Sequence, residues 1–304
     1  MASRVIPTQG ATDLPTFKVF SDGEEIGGLF GILSVYVSKR VNKIPTARII
    51  LSDGDVSKED FEVSNGDHFV PGKEIEIHAG YHNTEDPIFK GIVIKHGIKT
   101  QKDKTSVLIL DLRDATVKMT IGRKNSYFQE VTDSDVIEEL IGAYSLDSEV
   151  EATDVEHLEL VQYHATDWDF MVSRAEANGQ LVFVDDGKVT VQKPDPSQEP
   201  LIELAFGHNV FEFEAGIDAR DQYAATTSTA WDYSAQEVLE EEGADPGFEE
   251  QGNLSASDLA DVIGLETWPQ QHGGKVTDQE LKQWSDAKLL RSRLAKVQGN
   301  IKMV

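Results

Sequence analysis

Short stretches that alternate apolar and polar residues follow one another from Phe17 to Leu112, and this period of two constrains the fold more than any other feature of the sequence. Residues 33–38 and 74–79 are examples. Turn residues such as Ser21-Asp22-Gly23 separate the stretches, and Asp-Gly is a strong hairpin signal. We therefore predict five or more strands between residues 17 and 124, folded as a closed or sandwich-like β-domain.

The apolar period changes to that of a helix after residue 125. Thr132 is followed three residues later by Asp135, which is the signature of a capped helix start. Thr166 begins a second segment of the same kind, and Gly179 stands where such a helix would end. The run Asp185-Asp186-Gly187-Lys188 then predicts a hairpin. We interpret residues 125–198 as an α/β domain.

Strand patterns return in a second β-domain, residues 199–304, at residues 202–206, 210–214 and 222–231. Residues 237–253 are acidic and contain no Lys or Arg, so we predict a solvated loop there. Helices are expected over about 255–265 and over 278–294. Residues 299–304 begin a strand whose partner we expect in a continuation of the chain or in another chain. Residues 1–16 have the composition of an arm without its own core.

The charge of the chain limits its partners. Its 304 residues include 28 Lys and Arg against 54 Asp and Glu, a formal net charge of −26. Nucleic acid and stable membrane insertion are therefore not expected, because phosphate backbones and anionic surfaces require clustered basic residues. The absence of cysteine excludes disulfides and thiolate chemistry. The N-terminus lacks a signal peptide pattern, so we expect synthesis as a soluble cytoplasmic chain.

No motif in the sequence carries a recognisable reaction. None of the eight histidines lies in a metal or catalytic signature, and there is neither a phosphate-binding glycine loop nor a Gly-x-Ser-x-Gly elbow. Asp167 and Asp169 could form an acid–base pair, but both fit better as acidic residues of a first helical turn. The acidic run at 240–250 lacks the spacing of a calcium loop. The residues predict no catalytic, cofactor-binding or metal site.

Two stretches, residues 126–137 and 164–179, place a Phe-Gln pair before the run Asp167-x-Asp169-Phe170-Met171-x-x-Arg174, which is close to a D-x-D-F-[IM]-x-R pattern. This order resembles the VgrG (Rhs-element Vgr) spike proteins, although Glu176 falls one residue earlier than in the commonest spacing. Trp231 and Asp232 resemble the region after this domain in spikes of extracellular contractile injection particles. The residues that carry the resemblance are Phe128, Gln129, Asp167, Trp168, Asp169, Phe170, Arg174, Glu176, Gly179, Trp231 and Asp232.

The resemblance implies a structural role without enzymatic activity. Three copies would form a hub with two tandem β-barrel, tube-like domains per chain, similar to contractile phage tail hubs and late-control tail proteins. Such a trimer joins a three-fold spike to the hexameric inner tube and is expelled with it during puncture, as in type VI secretion. The implied partners are the inner tube protein, baseplate components, a spike tip protein and effector cargo, all within a phage tail-like particle.

Two other functions stay open from the sequence. One is a tail-associated cell-wall hydrolase, and the other is a carbohydrate-binding β-module with Trp268 as its contact residue. The sequence also leaves two possible locations for the aromatic residues Trp231 and Tyr223. Trp231 and Tyr223 fit either a seam between subunits, where aromatics are enriched, or the core of the second barrel.

Overall fold

The computed structural model describes residues 15–26, 30–55, 57–81, 84–100, 105–195, 198–199, 201–207, 209–248 and 252–303. Most of the predicted arm, residues 1–16, lies outside the described residues, and so do His82 and His208. Thr16, expected as the last residue of the arm, instead begins the first strand because it pairs with Gly80.

An antiparallel sheet of seven strands forms the first part of the chain. Its spatial order is β2-β1-β5-β6-β7-β4-β3. The strands are β1 (Thr16–Ser21), β2 (Glu24–Glu25), β3 (Ile32–Arg40), β4 (Lys43–Ser52), β5 (Glu74–Tyr81), β6 (Thr84–Lys99) and β7 (Val107–Arg113).

This sheet curls around one hydrophobic core. Val19 of β1, Ile49 of β4 and Leu110 of β7 are fully buried in the same cluster, and Val35 of the edge strand β3 packs against it. Among the described residues, however, β2 and β3 do not pair with each other, so hydrogen bonds do not close the sheet. The predicted β-rich fold is confirmed, but the closed barrel is not, because β2 has only two residues.

The α/β unit has a hydrophobic core of its own. Thr132 and Asp135 form a capping box at the start of the first helix, and Thr166 caps the second. Both helix starts predicted from these threonines are confirmed. The unit pairs β10 with β8 and places β12 between β11 and β9. Its elements are β8 (Lys124–Thr132), α1 (Asp133–Gly142), β9 (Asp147–Val150), β10 (Glu156–Ala165), α2 (Asp167–Ala177), β11 (Leu181–Asp185) and β12 (Lys188–Gln192).

The hairpin between β11 and β12 follows the predicted turn chemistry. Asp186 and Gly187 both have positive φ angles, 50° and 85°. This backbone is the one that a two-residue turn requires to match the twist of the strands. The same dipeptide joins β1 to β2.

The last part of the chain contains two small sheets. One pairs β13 with β17, and the other has the order β15-β14-β16. The elements are β13 (Val210–Ile217), β14 (Ala225–Asp232), β15 (Glu237–Glu242), α3 (Ala256–Ile263), β16 (Thr267–His272), α4 (Asp278–Leu294) and β17 (Val297–Met303). The described strands of this region do not form the predicted second barrel.

Three local predictions for this region were wrong. Residues 202–206 form no strand apart from a single bridge at Phe206, because these residues are mostly exposed and lack a strand beside them. The predicted acidic loop begins as a strand, because the backbone of Glu237–Glu242 pairs with β14 while most of its side chains face solvent. The terminal strand β17 has its partner, β13, in the same chain.

Helix α4 packs across β14 and β15. Leu281 and Leu289 are buried on the helix, and small polar residues let the helix approach the sheet closely. The hydroxyl of Thr226 donates to the carbonyl of Ser285 at 2.8 Å, and the hydroxyl of Ser285 donates to that of Ser228 at 2.8 Å. The helix is therefore fixed to β14 by buried hydrogen bonds.

Candidate functional site

The residues that carry the resemblance lie mainly on β8 and α2. Phe128 of β8 stacks on Phe170 of α2, with 6.2 Å between ring centroids and 10° between ring planes. Trp168 is buried, as its helical spacing with Met171 predicted, whereas Gln129 is exposed. These aromatic contacts hold α2 against the β8–β10 ribbon.

Asp167 and Asp169 have different surroundings. Asp169 is exposed and completes the helix start, because its backbone N–H donates to the Thr166 hydroxyl at 3.1 Å. The Asp167 carboxylate is buried and accepts bonds from Lys124 Nζ at 2.6 Å, Tyr144 Oη at 2.6 Å and Gln162 Nε2 at 2.9 Å. Burial opposes its charge, but these donors hold the pKa of Asp167 below its ordinary value. The two carboxylates are not arranged as an acid–base pair.

A second buried carboxylate, Asp133 at the start of α1, is the centre of a larger cluster. Arg174 donates to both of its oxygens, at 2.5 Å from Nε and 2.9 Å from Nη2. Asn178 donates to Oδ2 at 2.8 Å, and His157 Nε2 lies 3.2 Å from the same oxygen. Although burial disfavours the charge, the hydrogen bonds from His157 and Arg174 lower the pKa of Asp133 to about 2.

This cluster extends from the α/β unit to helix α4. Glu280 lies in the first turn of α4, with its Oε1 3.8 Å from His157 Nδ1. Burial raises the pKa of Glu280, and the charge of Asp133 acts in the same direction, whereas His157 and Arg174 lower it. We call Asp133, His157, Arg174, Asn178 and Glu280 the charged cluster.

Glu176 and Gly179 connect α2 to its neighbours on both sides. Glu176 accepts from Asn42 Nδ2 at 3.1 Å, in the turn after β3, and pairs with Arg291 of α4 at 3.0 Å. Gly179 has a φ of 68°, and a Cβ there would lie 3.0 Å from Leu290 of α4. This end of α2 is therefore where the first sheet, the α/β unit and α4 meet.

Trp231 and Asp232 lie apart from this cluster, at the end of β14. Trp231 is 54% exposed, and Asp232 accepts from the backbone N–H of Ser234 at 2.7 Å in the following turn. Tyr223 is buried and packs against Trp268, with 5.3 Å between ring centroids and 32° between ring planes. Tyr223 is therefore a core residue, and Trp268 is not the exposed platform that a carbohydrate site requires.

In the described part of the chain, no three His, Cys, Asp or Glu side chains converge so that they could hold a metal ion. No described helix combines the length and the apolar character needed to cross a membrane.

Several solved structures share this fold. The 43 kDa tail protein of prophage MuSo2 from Shewanella oneidensis has a TM-score of 0.63 and 12% identity, over 95% of this chain and 82% of that one. The tail protein from Neisseria meningitidis MC58 has a TM-score of 0.64 and 14% identity, over 95% and 80%. The E. coli c3393 protein, a type VI secretion component structurally similar to T4 bacteriophage tail proteins gp27 and gp5, has a TM-score of 0.51 and 11% identity, over 67% and 56%.

These likenesses define the class of the fold, which is that of phage tail proteins and a type VI secretion component. They confirm the resemblance to VgrG-type spike proteins that was drawn from the sequence. The chain itself belongs to the family described as the Alg8 N-terminal domain, whose sequence profile matches residues 11–304. No curated protein sequence matches the chain.

Sequence reasoning missed most members of the charged cluster. Arg174 belongs to the pattern of residues 164–179, whereas Asp133, His157, Asn178 and Glu280 carried no signal of a shared cluster. The sequence position of Asp133 explains it without a partner, because an acid at the first helical position next to a capping threonine already favours the helix dipole. Its pairing with a residue 41 positions away required the tertiary structure.

Proposed function

We propose that this chain is a structural subunit of the hub at the centre of a contractile, phage tail-like injection machine. Three copies form a ring that joins a three-fold spike to the six-fold inner tube and is expelled with it. The observation that carries the proposal is the fold, because 95% of the chain superposes on each of two tail proteins. The family membership covers nearly the same residues.

The surroundings of Asp133 and Asp167 support a role without catalysis for these two carboxylates. Asp133 and Asp167 each accept several hydrogen bonds from side chains of their own chain. A general acid or base needs an accessible carboxyl group whose pKa lies near neutrality, whereas the pKa of each of these two is lowered. Both carboxylates therefore fit a structural role, in which they hold the helices in place.

The incomplete sheets support assembly with other copies. We propose two hub domains, residues 17–124 and 199–304, separated by an α/β domain at 125–198, and we propose that each hub sheet is completed as a barrel only within the ring. In the particle the ring would contact the inner tube protein, baseplate components, a spike tip protein and effector cargo. Its formal net charge of −26 disfavours binding to nucleic acid.

The mass of the purified chain in solution tests this proposal. Light scattering behind a sizing column, over a range of concentrations, should give three times the chain mass of 33.6 kDa. Negative-stain images of that peak should show a ring with three-fold symmetry. A monomer at every concentration would contradict the trimeric hub, and cell-wall turnover by the purified chain would contradict the non-enzymatic role.

A further inference from the structure

A cavity of about 310 Å³ lies where α2, α4 and β16 meet, and it is open to solvent. Two small side chains, Ala177 of α2 and Ala287 of α4, leave space between the helices. Trp284, Lys288 and Arg291 recur at the spacing of one helix face, so α4 presents that face to the cavity. We call this space the α2–α4 cavity. Its volume lies within the range of small-molecule sites.

One wall of the cavity is aromatic. The ring of His272 on β16 lies beside that of Trp284, with 4.0 Å between centroids and 52° between ring planes. Burial lowers the pKa of His272, so its imidazole is neutral at pH 7. Both rings line the cavity, and neither is fully buried. They give the cavity a surface suited to a flat apolar ring, because aromatic groups contact each other over a large area.

The positive charges at the cavity exceed the negative ones. Arg291 pairs with Glu176 at 3.0 Å, so these two charges offset each other. Lys288 pairs with no carboxylate among the described residues, and its ammonium group lies 4.5 Å from the centroid of the Trp268 ring and 5.7 Å from that of Tyr223. Aromatic rings hold an ammonium group in place without neutralising it. The cavity therefore has one uncompensated positive charge, in a chain whose formal net charge is −26.

The charge of Lys288 is destabilised where it lies. Burial lowers the pKa of Lys288, Arg291 acts in the same direction, and Asp221 opposes both. An anion beside an ammonium group favours the charged form of that group. An anionic ligand would thus relieve the cost that burial imposes on Lys288, whereas a cationic ligand would add to it.

Gln270 of β16 brings a hydrogen-bond donor to the same cavity. Its side-chain oxygen accepts from the Ser228 hydroxyl at 3.0 Å, and that hydroxyl accepts from the Ser285 hydroxyl at 2.8 Å. This chain of bonds orients the amide, so that Nε2 points away from Ser228. No described group accepts a bond from Nε2 of Gln270. An ammonium group and an amide N–H therefore line one cavity, and the two oxygens of a carboxylate match two such donors.

We propose that the α2–α4 cavity binds a small organic acid with one carboxylate on a planar aromatic ring. The carboxylate lies against Lys288 and the Gln270 amide, and the ring packs on Trp284. A single negative charge matches the single uncompensated positive charge. A dianion such as a phosphate ester fits less well, because its second charge would be repelled by Glu176. The site is formed within one chain, so it does not depend on the proposed trimer.

Phenylacetate, with one carboxylate and one ring, is the probe that tests the site. Saturation-transfer NMR with the purified full chain at pH 7 should give a dissociation constant of about 1 mM or tighter. Phenylacetamide lacks the charge and acetate lacks the ring, so each should bind about ten-fold or more weakly. Phenyl phosphate should also bind more weakly. Equal affinity for phenylacetate and phenylacetamide would overturn the recognition of charge, and no saturation below about 10 mM would overturn the site.

Substitutions on α4 locate the bound probe. Lys288→Gln should weaken phenylacetate binding about ten-fold or more because it removes the charge, whereas Lys288→Arg keeps the charge and should stay within about three-fold. Lys282→Gln is the matched control. It removes the same charge from the same helix, but Lys282 pairs with Asp286 and does not line the cavity, so its affinity should be unchanged.

Circular dichroism verifies that each variant is folded. If Lys288→Gln does not fold, Gln270→Leu replaces it, since it removes the amide donor and should weaken binding about five-fold. Unchanged affinity in a folded Lys288→Gln variant would place the probe elsewhere and overturn the inference. An equal loss in Lys282→Gln would mean a general effect of charge and would overturn it as well. A monomeric chain that binds phenylacetate as expected would support this site while contradicting the trimeric hub.

Discussion

At the scale of single residues, Asp133 is the side chain on which most buried polar contacts converge. Its two oxygens are shared among Arg174, Asn178 and His157, and its side chain is almost inaccessible to water. A buried ion pair adds little net stability by itself, since desolvation offsets attraction. Its loss is costly, however, because one charge then stays buried without its partner.

Replacing Asp133 with Asn should therefore lower the free energy of unfolding by roughly 3 kcal/mol, because Arg174 loses its charged partner in a buried site. Urea unfolding followed by fluorescence at pH 7 measures the change. Asp135→Asn is the control, since Asp135 is exposed in the same helical turn, and its cost should stay below about 1 kcal/mol. Equal costs for the two variants would mean that the cluster adds nothing beyond the cap.

Acid should remove the stability that the ionised Asp133 contributes, and it should do so over a defined pH range. Its pKa is about 2 in the folded chain against an ordinary value of 3.8, so the unfolded chain takes up the proton first as the pH falls. About 2 kcal/mol of stability should be lost between about pH 4 and pH 2. The free energies of unfolding of the unmodified chain and of Asp133→Asn should therefore converge over this pH range. A difference that stays constant as the pH falls would contradict the assignment.

Glu280 should behave in the opposite direction. Because burial raises its pKa, the folded chain disfavours its charged form, and the carboxylate costs stability at neutral pH. Glu280→Gln should thus be more stable than the unmodified chain at pH 7. The difference should shrink as the pH falls towards 4.5, the ordinary pKa of Glu, and it should be absent below that pH, since both states of the unmodified chain then carry a neutral carboxyl group. A destabilised Glu280→Gln at pH 7 would show that the ionised form is needed.

At the scale of elements, the end of α2 is the point where separate parts of the chain touch. Gly179 allows the left-handed backbone that ends the helix, and it also leaves room for Leu290 of α4. Glu176, one turn earlier, contacts Asn42 on one side and Arg291 on the other. The geometry of this helix end therefore affects how α4 sits against the α/β unit.

Gly179→Ala should destabilise the chain by about 1–2 kcal/mol, because a Cβ is strained at a φ of 68° and crowds Leu290. Gly142→Ala at the end of α1 is a matched control. Gly142 has no atom within 4 Å of the added Cβ and no positive φ, so this change should be neutral or stabilising. Thermal unfolding of both variants measures the difference, and an unchanged Gly179→Ala would show that α4 can shift without cost.

At the scale of the whole molecule, net charge opposes assembly. Each copy carries −26, and the repulsion between copies is screened by salt. The screening length falls from about 30 Å at 0.01 M salt to about 8 Å at 0.15 M. An interface made from uncharged surfaces gains from this screening and loses no ion pairs.

The proposed trimer should accordingly become tighter as sodium chloride rises over that range. Mass photometry at a fixed nanomolar chain concentration would report the trimer fraction at each salt concentration. Sucrose at matched osmolality controls for effects other than screening. Dissociation by added salt would mean that ion pairs, rather than uncharged surfaces, hold the copies together.

Much of the local structure could be predicted from the sequence. Helix starts at Thr132 and Thr166, the Asp186-Gly187 hairpin and the strands of the first sheet follow from residues within three or four positions of one another. Such signals depend on backbone geometry and on apolar period, and both are properties of short segments. The same reasoning failed for Glu237–Glu242, where pairing with β14 overrides an acidic, loop-like composition.

The sequence by itself determined the β-rich class, the helix starts and the resemblance to a tail-hub family, because each rests on short patterns. Only the tertiary structure decided the partners of Asp133, the pairing of β17 with β13 and, among the described residues, the lack of a β2–β3 pair that would close the first sheet. The physical reason is that a buried charge or an unpaired strand is defined by its neighbours in space. Those neighbours are brought together only when distant parts of the chain pack.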